Sequence, residues 1–209
     1  MSPLLSSLIA DHAFLRLLWG NVAEVIPGRL YRSNHPTPAR LRRLVRRFGI
    51  RTVINLRGAE RTNGSNVLSE AAAARLGVAH VYIPFESRGA PRRERIMRFH
   101  EIYRGMAEPA LLHCKSGADR AGLAAGLAIL FEGGTAAQAL AQLSLRFLHF
   151  RQSKTGILDA FFLRFQAEAE GRKPFIDWVR EEYDEAALQA GFHASGLASF
   201  LNDRVLARE

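Results

Sequence analysis

The chain has 209 residues, of which 48% are hydrophobic, so it can bury a core and is not the sequence of a disordered tail. Its one cysteine excludes an internal disulfide and favours a reducing, cytoplasmic location. Arginine carries nearly all of the net charge of +9, because only Lys115, Lys154 and Lys173 are lysines. The arginines lack the interleaved aromatic residues of a single-strand binder, so we expect no nucleic-acid partner. No apolar run reaches the roughly 20 residues of an integral membrane span.

Short strand patterns alternate with helical patterns between about residues 29 and 134. Thr37 as N-cap, Pro38 in the first turn and Gly49 after the end delimit the first helix of this region. The alternation predicts an α/β three-layer sandwich with a central, partly parallel sheet of about four or five strands. The expected strands are 29–33, 52–57, 80–85 and 109–114, and the later helices are 66–76, 91–105 and 120–134.

Only helical patterns occur from about residue 135 onward. The N-terminal stretch 1–20 is interrupted by Asp11 and His12, and it predicts an amphipathic helix rather than a signal peptide. No repeat or low-complexity linker divides the chain, so we expect a single domain over 1–209, with a core at about 25–135 and a helical portion over 136–209. The expected C-terminal helices are 135–148, 156–169, 174–189 and 197–207.

The arginine-rich run ARLRRLVRRF, residues 39–48, has its apolar residues on one helical stripe. The arginines occupy the other faces. The pattern indicates a solvated helix face, with a surface that attracts anionic substrates or membranes as the alternative.

The stretch LLHCKSGADRAG, residues 111–122, places Cys114 between a strand and a helix. Unpaired backbone N–H groups at a helix N-terminus favour a bound anion, and they favour a thiolate over a thiol. Gly117 permits close approach of the backbone, and the planar fork of Arg120 can bind two phosphate oxygens at once. A buried, inert cysteine is the alternative reading. The residues expected to cradle the anion are Lys115, Ser116, Gly117, Ala118, Asp119 and Arg120.

This stretch resembles the phosphate-binding loop of the cysteine-dependent protein tyrosine and dual-specificity phosphatases, which use His-Cys-x5-Arg. GRLYRSNHPT (28–37) and TVINLRG (52–58) are similar to the opening strands of small dual-specificity-like phosphatases. The resemblance implies Cys114 as the nucleophile that forms a phosphocysteine, Arg120 as the phosphate clamp, and no metal or other cofactor. It also implies that His113 tunes the thiolate through the hydrogen bonds of the loop.

The family usually has its general acid, an aspartate, some thirty residues before the cysteine, and this sequence has no aspartate at that position. No aspartate lies between Asp11 and Asp119, and the equivalent loop offers only Glu86. Asp119, inside the loop, resembles the loop aspartate of myotubularin-type lipid phosphatases and is the preferred acid. Its alternative role is a salt bridge or helix cap that shapes the loop, and that of Glu86 is a solvated carboxylate.

Other positions bear on hydrolysis and on the substrate. Ala121 stands where the family often has a hydroxyl, which suggests slower breakdown of the phosphocysteine. Gln152 is a candidate for positioning the attacking water, or else an exposed residue beside a helix. Lys115 adds charge that favours multiply phosphorylated or inositol-containing substrates. Among Arg57, Arg88, Arg92 and Arg93, we expect Arg88 to line the mouth of the site.

Together, the motif and the resemblance predict a phosphoric monoester hydrolase of the protein tyrosine or dual-specificity type, whose partner is a phosphorylated protein. The first alternative is a phosphoinositide or inositol phosphate phosphatase with the same mechanism. The second is a pseudophosphatase that binds phosphate without turnover. A rhodanese-like sulfur transferase fits less well, because it has no use for Arg120. The sequence leaves the oligomeric state open.

Overall fold

The computed structural model of the protein describes residues 20–59 and 64–192. The amphipathic helix expected over 1–20 lies outside the described residues except for Gly20, and the helix expected over 197–207 lies wholly outside them.

A five-stranded sheet forms the centre of the fold, in the order β1-β2-β5-β3-β4. Strand β1 is antiparallel to β2, and the other neighbouring strands are parallel to each other. The partly parallel sheet is therefore confirmed, with β1 as a short, half-exposed edge strand that the sequence patterns did not predict. The strands are β1 Ala23–Ile26, β2 Leu30–Asn34, β3 Thr52–Asn55, β4 Ala79–Tyr82 and β5 Ala110–Cys114.

The described helices lie largely where the sequence places them. Thr37 caps the first helix by accepting a hydrogen bond from Arg40 N, and Gly49 follows it with φ of 65°, as expected. The helices are α1 Pro38–Phe48, α2 Gly64–Arg75, α3 Arg93–Gly105, α4 Asp119–Phe131, α5 Ala136–Leu140, α6 Ile157–Glu168, α7 Phe175–Glu181 and a helical segment 185–192.

Successive side chains of each strand point to opposite faces of the sheet, and helices cover both faces. On one face, Tyr31, Val53 and Leu111 pack against α1 and α2. On the other, Leu30, Ile54 and Leu112 belong to a larger core that includes α3, α4 and the C-terminal helices. The three-layer α/β sandwich is confirmed.

The helix expected over 135–148 is wrong beyond Leu140, where α5 ends. The chain instead continues irregularly, with short 3-10 turns at Leu145–Phe147 and Lys154–Gly156. Tertiary contacts override the helical pattern here, since the Gln142 carbonyl accepts a hydrogen bond from Arg32 on β2. The segment 141–156 thereby reaches the carboxyl edge of the sheet.

The helix expected over 174–189 is divided at residues 182–184. Asp184 causes the division, because its side chain accepts a hydrogen bond from Ala187 N at 2.9 Å and so begins a new helix. Helix α7 packs against α3. In the described part of the chain, no helix is long and apolar enough to cross a membrane.

Candidate active site

The four parallel strands end at the same edge of the sheet, and Cys114 is the last residue of β5. Its backbone lies in register with Asn34, the last residue of β2, while Asn55 and Tyr82 end β3 and β4 side by side. The loops that follow therefore open on one edge, which is where ligands bind in parallel α/β sheets.

The Cys114 loop, residues 114–120, joins β5 to α4. Cys114 is 2% exposed, and its Sγ accepts a hydrogen bond from Gly117 N at 3.3 Å. Ser116 Oγ accepts from Ala118 N at 3.3 Å, immediately before α4 begins at Asp119. The expected strand, loop and helix N-terminus are thus present, and the loop gives the sulfur one backbone N–H donor, that of Gly117.

Gly117 is required in this loop for two reasons. Its φ of 76° lies in the left-handed region, and a Cβ there would come within 2.7 Å of Asn34 N. The same Cβ would approach Asn21, whose Nδ2 donates to Ser116 O at 3.1 Å and to Phe147 O at 3.0 Å. Any side chain at Gly117 would therefore push the loop away from β2.

Arg32, on β2, is fully buried behind the Cys114 loop. It donates to Gly117 O at 2.6 Å, to Ala118 O at 3.1 Å and to Gln142 O at 2.7 Å, and its guanidinium stacks 3.8 Å from the Phe147 ring centroid. These bonds satisfy the buried carbonyls of Gly117 and Ala118 and so tie the loop to β2.

Burial lowers the pKa of Arg32 to about 10, against the opposing effects of Cys114 and Asp119, so the guanidinium stays charged at neutral pH. Sequence reasoning missed this residue. The available signal was a charged residue in the interior of the strand expected over 29–33.

Arg120 contrasts with Arg32. It is half-buried in the first turn of α4, and it makes no hydrogen bond or ion pair with any residue in the ranges 20–59 and 64–192. Asp119, its neighbour, does not pair with it. The guanidinium thus has its donors free to take two oxygens of a phosphate.

Asp119 instead binds His149, a residue that sequence reasoning missed. His149 Nδ1 lies 2.8 Å from Asp119 Oδ1, and His149 Nε2 lies 2.7 Å from Asp159 Oδ2. Arg151 Nε donates to the other oxygen of Asp159 at 3.0 Å. The salt bridge considered for Asp119 exists, but its partner comes from the segment 141–156.

His149 is 1% exposed, and burial alone would lower its pKa, but the hydrogen bonds to Asp119 and Asp159 outweigh burial and raise its pKa to about 9. At neutral pH the ring is therefore an imidazolium that donates to one oxygen of each aspartate. The sequence held one weak signal for this role. The stretch between Glu132 and Asp159 contains His149 and several basic residues but no acidic residue.

Glu86 lies in the loop after β4, which is two strands from β5 and hence about 10 Å away across the sheet. Its Oε1 pairs with Arg92 at 3.1 Å and with Arg95, both at the start of α3. The side chain is 19% exposed rather than solvated. This pairing ties the Glu86 side chain to the start of α3.

His113 is fully buried, with its ring 4.5 Å from that of His35. Neither ring nitrogen has a hydrogen-bond partner within the described residues. Burial, followed by the nearby charges of His35, His80 and Arg57, lowers the pKa of His113 well below its usual value. The ring is therefore neutral and places no positive charge beside the sulfur.

The remaining predicted residues differ in their placement. Lys115 is half-buried and its carbonyl accepts from His35 N at 3.3 Å, while Ser116 is exposed at the loop surface. Arg88 and Gln152 are exposed, and neither bonds to another described residue. No group of histidine, cysteine and carboxylate side chains suited to a metal ion occurs in the residues that the structure describes.

Solved structures with the same fold include TpbA from P. aeruginosa, at 19% identity and a TM-score of 0.58 over 76% of this chain and 91% of TpbA. The PP-IP phosphatase SIW14 from S. cerevisiae is 16% identical, with a TM-score of 0.54 over 71% of this chain and 91% of its catalytic domain. PTPMT1 is 19% identical, with a TM-score of 0.50 over 72% of this chain and 99% of its own.

No curated protein sequence matches the chain. The family model described as a DSP-PTPase phosphatase fused to NAD+ kinase matches residues 22–153, from β1 through the Cys114 loop to the segment that carries His149. Because this match spans more than half of the 209 residues, the chain belongs to that family of dual-specificity-type phosphatase domains.

Proposed function

We propose that the protein hydrolyses phosphoric monoesters through a phosphocysteine formed on Cys114. The observation that carries the proposal is the Cys114 loop itself, in which Sγ accepts the Gly117 N–H at the N-terminus of α4. A thiolate there faces a cradle of N–H donors, and Arg120 has its donors free to hold the phosphate.

In the first step, the Cys114 thiolate attacks phosphorus, the S–P bond forms and the bond from phosphorus to the leaving oxygen breaks. Arg120 and the loop N–H groups hold the equatorial oxygens, where negative charge is distributed in the transition state. Asp119 enters this step protonated on Oδ2, with Oδ1 accepting the hydrogen bond from His149, and gives that proton to the leaving oxygen. Proximity supports Asp119 over Glu86, since Asp119 lies in the same loop as the nucleophile.

In the second step, water attacks the phosphocysteine. Asp119, now a carboxylate, takes a proton from this water, the S–P bond breaks, and inorganic phosphate leaves as the thiolate returns. Ala121 offers no hydroxyl to the departing sulfur, so this step is the slower one. Gln152 lies on the surface with no bond that directs it toward the sulfur, and we assign it no part in orienting the water.

Phosphorylated proteins are the proposed substrates, and a structure of a TpbA variant in complex with pTyr supports this class. Inositol phosphates and phosphoinositides are the second candidate, favoured by Lys115 within the loop and by the absence of acidic residues from 133–158 beside it. SIW14 is described as a PP-IP phosphatase, and PTPMT1 has been solved with PI(5)P.

The described helices after residue 135 share one hydrophobic core with α3 and α4, which supports a single domain. Ala90 N donates to Gln189 at 2.9 Å, and the Tyr183 hydroxyl donates to Pro91 O at 2.8 Å. We therefore assign the C-terminal helices the role of holding the loop after β4 against the rest of the site. The lone cysteine supports a reducing, cytoplasmic location.

Phosphate release from an aryl phosphate by the wild type and by Cys114→Ser tests the mechanism. We expect turnover by the wild type and none by the variant. Retained turnover in Cys114→Ser would contradict the mechanism, and an inactive wild type that still binds phosphotyrosine peptides would support a pseudophosphatase.

A panel of phosphotyrosine peptides, phosphoserine peptides, phosphoinositides and soluble inositol phosphates separates the two substrate classes. Lys115→Met is the matched probe, because it removes one charge at the loop. If the inositol class is the substrate, kcat/KM for those compounds should fall about tenfold, with a smaller change for the singly phosphorylated peptides.

A further inference from the structure

The two carboxylates on either side of His149 are used differently. Asp159 is buried and has both oxygens occupied, one by His149 and one by Arg151. Asp119 is 26% exposed and has only Oδ1 occupied, while Oδ2 has no partner among the described residues. Asp159 therefore holds His149 in place. Asp119, on the other side of the ring, keeps one oxygen available to the site.

We propose that His149 is a positioning residue for Asp119: anchored by Asp159, it fixes Asp119 Oδ1 and so directs Oδ2 toward the oxygen that gains or loses a proton. This inference rests on the proposed function and adds to it a residue outside the Cys114 loop. His149 touches neither the substrate phosphate nor the sulfur. Its effect on the reaction passes wholly through Asp119.

His149 keeps both of its ring protons throughout the reaction. Asp119 Oδ2 releases a proton to the leaving oxygen in the first step, and the carboxylate that results is stabilised by the hydrogen bond from Nδ1–H. In the second step Oδ2 regains a proton from the attacking water. The proton count on Asp119 is thus restored, and the imidazolium serves as a fixed donor that prevents the carboxylate from rotating.

The fold brings His149 to this position at some conformational cost. Leu148, just before it, has φ of 60°, which is unusual for a residue other than glycine, and His149 N bonds back to Ser144 O at 3.2 Å. Gly122 on α4 permits the approach, because a Cβ there would lie 2.7 Å from Gln142 O. Unfavourable backbone conformations such as that of Leu148 are often found beside residues whose position matters for function, which here is the buried His149.

Two substitutions of His149 separate positioning from packing. The amide nitrogen of asparagine can occupy the place of Nδ1, and that of glutamine the place of Nε2, so His149→Asn keeps the bond to Asp119 and His149→Gln keeps the bond to Asp159. Both variants are neutral and similar in size. On an alkyl phosphate, we expect kcat to fall about 100-fold in His149→Gln, which loses the bond to Asp119, and only about 10-fold in His149→Asn, which keeps that bond but loses the anchor on Asp159, with KM changed little in either.

A double-mutant cycle with Asp119→Asn supplies the second readout. If His149 acts through Asp119, then His149→Gln should cause almost no further loss of kcat once Asp119 is already asparagine. Thermal melting of each variant accompanies the kinetics. Equal losses of kcat in the two His149 variants, or losses that add fully to that of Asp119→Asn, would overturn the proposal and leave His149 a purely structural residue.

Failure of the proposed function gives a different result. If Cys114 were not the nucleophile, Cys114→Ser would retain turnover, whatever the His149 variants did. If phosphate transfer occurs at Cys114 but His149 has no positioning role, the Cys114→Ser variant is inactive while His149→Asn and His149→Gln behave alike. The kinetics of these three variants with one aryl and one alkyl phosphate therefore assign each failure to its cause.

Discussion

The loops after β4 and β5 each place one carboxylate at the same edge of the sheet, but they hold it in different ways. Glu86 is paired with two arginines of its own neighbourhood, Arg92 and Arg95, and lies two strands from Cys114. Asp119 lies in the Cys114 loop and is held through one oxygen by a buried histidine. Each side chain keeps one oxygen without a partner among the described residues, but that of Glu86 is buried, whereas the Asp119 side chain is 26% exposed and lies in the loop that carries Cys114.

The same contrast holds for the two arginines of the site. Arg32 is buried and has its guanidinium bonded to backbone carbonyls, while Arg120 is half-buried and bonded to no described residue. Arg32 therefore ties the Cys114 loop to β2, while the donors of Arg120 remain available to a ligand. The two side chains have the same charge and chemistry. Their hydrogen-bond partners distinguish the arginine that holds the loop from the one that is available to a ligand.

The largest expected effect compares Asp119→Asn with Glu86→Gln on an alkyl phosphate. Loss of the general acid should lower kcat by about 10²–10⁴ in Asp119→Asn, because an alkoxide is a poor leaving group, and by less than about 3-fold in Glu86→Gln. Steady-state kinetics measure both. If Glu86→Gln lost more activity than Asp119→Asn, the assignment of Asp119 as the general acid would be wrong.

The two arginines give the second comparison. Arg32→Met leaves the carbonyls of Gly117 and Gln142 without their buried donor, so the free energy of unfolding should fall by about 3 kcal/mol. Arg120→Met should change it by less than about 0.5 kcal/mol, since that side chain has no described partner. Urea denaturation measures the difference.

Phosphate binding should be lost in both arginine variants, so binding alone does not separate them. Equal stabilities of Arg32→Met and Arg120→Met would show that Arg32 does not hold the loop.

A third prediction concerns pH and the imidazolium beside Asp119. The pKa of His149 is raised from 6.5 to about 9 in the folded protein, so its stabilisation is complete below pH 6.5 and is lost as the pH rises to about 9. Between those limits the free energy of unfolding should decline by roughly 2 kcal/mol more in the wild type than in His149→Asn. Denaturation at a series of pH values checks this, and parallel pH curves for the two proteins would contradict it.

The smallest expected effect is that of Gln152→Ala. Gln152 is exposed and makes no bond within the described chain, so kcat should stay within about twofold of the wild-type value. Arg88→Ala, another exposed position after a strand, is the control. A loss of more than tenfold confined to Gln152→Ala, with accumulation of phosphoenzyme, would restore its role in orienting water.

Much of the fold follows from local signals in the sequence. Thr37, Pro38 and Gly49 delimit α1 because capping and left-handed backbone act within a few residues. The alternation of strands and helices predicts the layers, and Cys114, Gly117 and Arg120 indicate the loop because their spacing alone positions them. These inferences needed no contact between distant parts of the chain.

The missed side chains depend on distant contacts. Arg32 reaches Gln142 across 110 positions of the chain, and His149 reaches Asp119 across 30. The same contacts end α5 at Leu140, where the helical pattern continues but the chain leaves it. The local signals for Arg32 and His149 are weak, and periodicity and spacing alone gave no reason to select either residue. Strand β1 was missed for a different reason, since four half-exposed residues at an edge carry little hydrophobic pattern.

The most direct test is rapid quenching of Asp119→Asn during turnover of an aryl phosphate, followed by intact-protein mass spectrometry and peptide mapping. An aryl leaving group needs no acid, but hydrolysis of the intermediate needs the base, so the variant should accumulate one phosphoryl group on Cys114. The same experiment with Cys114→Ser should give none. A phosphoryl group on another residue, or no accumulation despite a slowed rate, would contradict the pairing of Cys114 as nucleophile with Asp119 as acid and base.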